Sequence, residues 1–269
     1  MEMLATVSGT TPFQTSNWLL ETLLVLMLAV YGWLGIKSSR QATLTAQPFG
    51  LPDILCASIL GLWLLWVIWN GSEGPQIITL RLIVANCIFY VSLTLGIFGI
   101  MGFQKNSPIS IFHLEPSRFP KAAITGLLWL GILYPLIMVT QGVVQKFSGD
   151  SNDSQLIVRY FLAHPDLKHR LAVIFMALVV SPIAEEILFR GYFYGVIRRY
   201  AGRIPAILGS SLLFAAIHQH LPSAPGLFLL AMTLCLLYER TGSLWATMTM
   251  HSAFNASTVV ALIFWPDLA

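Results

Sequence analysis

The chain has 269 residues, 56% of them hydrophobic and 10% charged, with a formal net charge of +3 and a mean hydropathy of +0.74. Soluble domains carry about 25% charged residues, so this composition excludes an ordinary soluble protein and describes an all-α, polytopic membrane helix bundle. The small charge, scattered over connecting segments, gives no footprint for nucleic acid.

About 20 apolar residues cross the hydrocarbon core as a helix, and eight stretches of this kind follow one another along the chain. The first 17 residues lack the basic start of a signal peptide, so the first stretch is expected to be retained. It runs from Trp18 to Ile36, with Trp18 and Trp33 suited to the two interfaces. The second, Leu51 to Trp69, stops at Asn70-Gly71, and the third, Ile77 to Phe103, has Arg81 near enough to one end to snorkel. Segment four, Ala122 to Val144, contains Pro135, which a membrane helix accommodates as a kink. A polar connection from Gln145 to His169 has room for a short surface helix.

Segment five, Arg170 to Ile197, carries Glu185, Glu186 and Arg190 within otherwise apolar sequence. Segment six, Ile204 to His220, opens on Ile204-Pro205, with proline where a helix start accepts it. Segments seven and eight run from Ala224 to Tyr238 and from Ser243 to Trp265. The expected division is four spans plus the polar connection over 1–169, then a four-helix core over 170–269 that carries these polar residues. Cys56, Cys87 and Cys235 sit singly in apolar segments and read as packing residues. Lysine and arginine set orientation: Lys37, Arg40, Lys105, Arg118, Lys121, Arg198, Arg199, Arg203 and Arg240 on one side face Lys146, Arg159, Lys168 and Arg170 on the other. Nine against four favours both termini outside.

Ionisable groups at bilayer depth cost about 2.5–3.5 kcal/mol each on insertion scales, so they persist mainly where they pair or act. On a helix, positions four apart share a face. Glu186 and Arg190 are thereby placed to pair, while Glu185 points elsewhere with no expected partner from its own helix. An unpaired carboxylate in such a site suits a general base. Pro182 frees the carbonyl of Leu178 one turn earlier. In segment six Phe214 and His218 share a face, so the ring can pack on the imidazole, while His220 faces elsewhere. In segment eight His251 and Asn255 share a face, offering a proton-transfer or metal-binding group and an amide donor. The bland alternatives are a register-fixing ion pair and ordinary interhelical hydrogen bonds. Clustering of three polar faces in the last third of the chain favours a site.

Glu185-Glu186-x-x-x-Arg190, Phe214-x-x-x-His218 and His251-x-x-x-Asn255 together resemble the three-motif signature of the CPBP family. That family comprises the CAAX-processing proteases and their bacteriocin-processing or self-immunity (Abi) relatives. The resemblance covers about Arg170 to Phe264, with the motifs intact and in order. It implies an intramembrane endopeptidase of eight helices in which Glu185 activates water with His218. His251 and Asn255 would stabilise the oxyanion, and Glu186, Arg190 and Phe214 would support the site. The family has carried a metalloprotease description, and two histidines with a glutamate form a common catalytic zinc set. In that form Glu185, His218 and His251 would hold Zn2+; the reading favoured here uses no metal. The partners implied are the lipid bilayer and a protein or peptide substrate, with or without a prenyl or other lipid anchor. The compact chain suggests a bacterial inner membrane.

Other protease chemistries fit less well. No His-Glu-x-x-His occurs, and no aspartate lies inside the last four segments. Gly209-Ser210-Ser211-Leu212 only faintly suggests a rhomboid-type serine. The rival from another class is a non-enzymatic protein, either a proton-coupled transporter or an immunity-type binding partner.

Overall fold

The structure, a computed structural model, describes residue 44 and residues 48–71, 77–148 and 155–265; the expected segment from Trp18 to Ile36 lies outside them. Regular structure among the described residues is entirely helical. We number the main helices α1 (Leu51–Asn70), α2 (Leu80–Phe103), α3 (Phe119–Ser148), α4 (Leu156–Ala163), α5 (Leu167–Ala201), α6 (Arg203–Ile217), α7 (Ala224–Thr241) and α8 (Leu244–Phe264).

Local chemistry sets several of these ends. Pro52 lies in the first turn of α1, and the Asp53 carboxylate turns back to accept the Gly50 N–H at 2.8 Å. Thr79 caps α2 by accepting the Leu82 N–H at 3.3 Å, and Asp166 caps α5 by accepting that of His169 at 3.2 Å. At the end of α7, Gly242 adopts φ +68°, the left-handed conformation in which a glycine commonly terminates a helix.

Among the described residues, α1, α2, the stretch Pro108–Lys146, α5 and the stretch Leu221–Thr241 are long and apolar enough to cross a membrane. Outward-facing Leu62, Trp66, Leu95, Ile124 and Leu128 are 61–67% exposed, as expected of side chains meeting lipid. The protein is thus a polytopic helical membrane protein. Two helices differ from expectation. Helix α6 has 15 residues, about 22 Å at 1.5 Å per residue, which is short of a hydrocarbon core of about 30 Å. Its chain turns at Gln219, which has φ +50°. Helix α8 is 21 residues long but carries His251, Ser252 and Asn255, and its mean polarity keeps it outside the apolar set. The short surface helix expected in the polar connection is α4, whose Tyr160 and Phe161 are buried.

Helix α8 runs through the bundle between α3, α5 and α7. Leu133, Leu136 and Ile137 of α3 pack with Leu234 of α7 and Ala246 and Met250 of α8. At Gly126 the α3 and α8 backbones touch: a Cβ there would lie 2.4 Å from the Ala246 carbonyl oxygen. Close approach of this kind is how membrane helices gain packing energy without a hydrophobic driving force. Helix α2 lies along α5. Two buried carboxylates outside the expected site staple the bundle. Asp53 of α1 accepts from Gln104 at 3.0 Å and from the Tyr192 hydroxyl of α5 at 3.4 Å. Glu239 of α7 meets Arg198 at 2.5 Å and accepts the Tyr194 hydroxyl, both from α5.

Candidate active site

Helix α5 is not a uniform α-helix. Wider, π-type turns span Met176–Val180 and Glu186–Phe193, on either side of an α-helical turn at Ser181–Glu185. Such bulges shift the side chains around them and recur at functional sites. Pro182 has no N–H to give the carbonyl of Leu178. That carbonyl accepts the Ser252 hydroxyl at 2.8 Å, and the Ala177 carbonyl accepts Asn255 Nδ2 at 2.8 Å, both from α8. The disrupted turn is therefore repaired from the neighbouring helix.

Glu186 and Arg190 pair as their spacing predicts, with Arg190 Nη1 donating to Glu186 Oε1 at 2.9 Å and neither side chain exposed. The same oxygen accepts His251 Nδ1 at 2.9 Å. An ionised carboxylate only accepts, so this bond assigns the proton to Nδ1 and turns His251 Nε2 towards Glu185, whose Oε2 is 3.8 Å away. Glu186 thus orients a histidine from α8 as well as pairing with arginine, a role the one-helix argument does not reveal. Phe214 is the hydrophobic counterpart: the Arg190 guanidinium lies 4.4 Å from its ring centroid, and the His218 and His251 rings lie at 4.8 and 5.7 Å. One phenyl ring therefore braces three polar side chains.

Glu185 departs from expectation. It has a partner on its own helix, because Ser181, one turn earlier, donates its hydroxyl to Oε1. Tyr90 of α2 donates to the same oxygen at 3.0 Å. Oε2 is buried without a hydrogen-bond partner among the described residues. The serine was legible in the spacing, since 181 and 185 are four apart. Tyr90 carries no such signal, lying 95 residues away in an apolar helix.

His218 follows the last residue of α6, and its Nδ1 donates to the Phe214 carbonyl at 2.7 Å. A carbonyl cannot donate, so the neutral ring presents an unprotonated Nε2. Glu185, His218, His251 and Asn255 line one cavity of about 980 Å³, together with Tyr90 and Ser181. His220, expected to face elsewhere, lines it too, with Nδ1 2.7 Å from the Ser223 hydroxyl. Helical periodicity fails there because α6 ends at Ile217. Gln141 of α3 also contributes to the wall, and no helical spacing ties it to the three motifs.

The histidine bonds bear on metal binding, since each of His218 and His251 has Nε2 left for a ligand. Among the described residues no three His, Cys, Asp or Glu side chains are grouped as metal ligands. The serines of Gly209-Ser210-Ser211 are buried away from the cavity: Ser210 donates to the Phe189 carbonyl at 3.0 Å, and Ser211 lies 3.8 Å from Cys235. They pack helices together. All three cysteines are free thiols.

Residues 167–257 match the family described as type II CAAX prenyl endopeptidase Rce1-like. This agrees with the CPBP resemblance carried by the three motifs, all of which fall inside the matched stretch. Two relatives come from Bacillus subtilis (strain 168). One, named "Putative membrane peptidase YdiL", is 26% identical over 141 residues, which cover 50% of this chain and 55% of that protein. The other, "Uncharacterized protein YpbD", is 29% identical over 136 residues, covering 48% of this chain and 66% of that protein. The chain thus spans between about half and two thirds of the relatives it matches. No solved structure matches the chain.

Proposed function

We propose that the chain is an intramembrane endopeptidase that hydrolyses a peptide bond of a membrane-associated protein or peptide, as CAAX-processing enzymes do. The observation that carries this reading is the convergence of Glu185 of α5, His218 just past the end of α6, and His251 and Asn255 of α8 on one cavity. A water between Glu185 and His218 Nε2 gives up a proton to Glu185 and attacks the substrate carbonyl carbon. The tetrahedral oxyanion then meets His251 Nε2–H and the second Nδ2–H of Asn255, whose first is held by the Ala177 carbonyl. His251 donates from Nε2 when its ring carries both protons, Nδ1–H being directed at Glu186. The proton taken from water passes to the leaving amine as the C–N bond breaks. Glu186, Arg190 and Phe214 hold these groups in register.

No step in this scheme requires a metal ion. The family match supports a prenylated or otherwise lipidated C-terminus as one substrate class. The charge asymmetry supports an orientation with both termini outside.

The test is cleavage of a quenched fluorescent peptide library by detergent-purified protein, wild type against Glu185→Gln, with and without chelator. Activity in the wild type alone, indifferent to chelator, is the expected result. Loss on chelation with recovery on adding zinc would move Glu185, His218 and His251 into a metal site. Equal activity in both proteins would remove Glu185 as the base. In a proton-coupled transporter, Glu185→Gln would instead abolish uptake.

A further inference from the structure

The Glu185 carboxylate is held asymmetrically. An sp² carboxylate oxygen has two lone-pair directions, and both on Oε1 are used, one by the Ser181 hydroxyl and one by the Tyr90 hydroxyl at 3.0 Å. Oε2 is buried, has no hydrogen-bond partner among the described residues and lies 3.8 Å from His251 Nε2; Glu185 and His218 line the same cavity. A glutamate has three side-chain torsions and loses considerable rotamer entropy when fixed. Two donors from different helices, α2 and α5, supply that fixing before any substrate arrives.

We propose that Tyr90 is a positioning residue of the candidate site: with Ser181 it pins Oε1 of Glu185 and leaves Oε2 as the oxygen that accepts the proton from water. This rests on the reading of Glu185 as the general base, and it goes further by naming the atom and a residue outside the 167–257 family stretch. The N-terminal helices then do more than surround the core, because α2 sets the geometry of the base. A purely structural alternative makes the Tyr90–Glu185 bond a fastener of α2 to α5. The two differ in what removal of one hydroxyl does. A fastener lowers stability; a positioning residue lowers the rate of the chemical step and leaves substrate affinity alone.

The experiment compares wild type, Tyr90→Phe, Ser181→Ala and Glu185→Gln in kinetics and thermal unfolding. A misplacement of the order of an ångström costs about 100-fold in rate, so Tyr90→Phe is expected to lower kcat by about 10- to 100-fold, with KM and the melting temperature unchanged. Ser181→Ala is expected to show the same split. In a Glu185→Gln background Tyr90→Phe should have no further effect. A substrate-free readout accompanies these: the infrared C–O stretch of the Tyr90 phenol, isolated as wild type minus Tyr90→Phe, should shift when Glu185 is replaced by alanine. Wild-type kcat in Tyr90→Phe, an effect confined to KM or melting temperature, or an unmoved phenol band would each overturn the proposal. If Glu185→Gln is inactive while Tyr90→Phe is not slowed, the positioning role fails and the base survives. If Glu185→Gln is fully active, the base fails and the positioning role with it.

Discussion

Replacing Arg190 by methionine removes the cation that both Glu186 and the Phe214 ring contact, and leaves a buried carboxylate with His251 as its remaining hydrogen-bond partner among the described residues. Breaking a buried pair from one side typically destabilises by about 3–5 kcal/mol, whereas replacing both partners with packed apolar groups is often near neutral. Arg190→Met should therefore lower the unfolding midpoint more than the double variant Glu186→Leu/Arg190→Met does; the reverse order in thermal unfolding would show that the pair is not the stabilising unit. Phe214→Ala tests the brace. Deleting a buried phenyl ring costs about 3–5 kcal/mol, and it also releases both histidines, so turnover in the proposed peptide-cleavage assay should fall further than stability alone explains. At this scale the motif residues were legible in the sequence because four-residue spacing on a helix is a geometric fact. The partners were not. His251 on Glu186 and Tyr90 on Glu185 join helices whose relative rotation no spacing reveals.

The distinctive element is α5, a helix of 35 residues whose two wide turns surround the carboxylates. Ser252→Ala would remove the hydroxyl donor from the part-buried Leu178 carbonyl that Pro182 cannot satisfy, and leaving such a polar group unpaired costs about 1–3 kcal/mol. The expected outcome is a loss of that size in unfolding free energy; a neutral effect would mean that water replaces the hydroxyl. Between α3 and α8 the contact at Gly126 admits no side chain. Gly126→Ala should cost about 1–3 kcal/mol through overpacking, read as a lower melting temperature, with no change if the helices can part freely. The start of α5 predicts an acid limb. His169, by hydrogen bonding, holds the Asp166 carboxyl below the ordinary aspartate range. A depressed folded-state value stabilises above the unfolded value of about 3.9 and loses that contribution as pH falls through the folded value. Asp166→Asn should accordingly flatten the loss of thermal stability below about pH 4.

For the whole molecule, the family stretch at 167–257 does not enclose its own core. Leu133, Leu136 and Ile137 of α3 complete the cluster around Ala246 and Met250, and α2 covers the first half of α5. A fragment beginning at residue 155 should therefore aggregate or elute as a broad species in size-exclusion chromatography, where the full chain is monodisperse. A monodisperse, cooperatively melting fragment would show that the N-terminal helices are dispensable for folding. Composition and hydropathy determined the class of this protein by themselves, because a helix that crosses lipid must be apolar over most of its length and satisfy its own backbone. The three motifs were likewise readable, since charges at membrane depth stand out against apolar sequence and fall at helical spacings. Only the tertiary structure decided which helix supplies each second partner, that α6 stops short and brings His220 to the cavity, and that α2 reaches Glu185. The physical reason is that the bilayer dictates apolarity but not rotation: the azimuth and depth of each helix come from packing and interhelical hydrogen bonds, which join residues far apart in the chain.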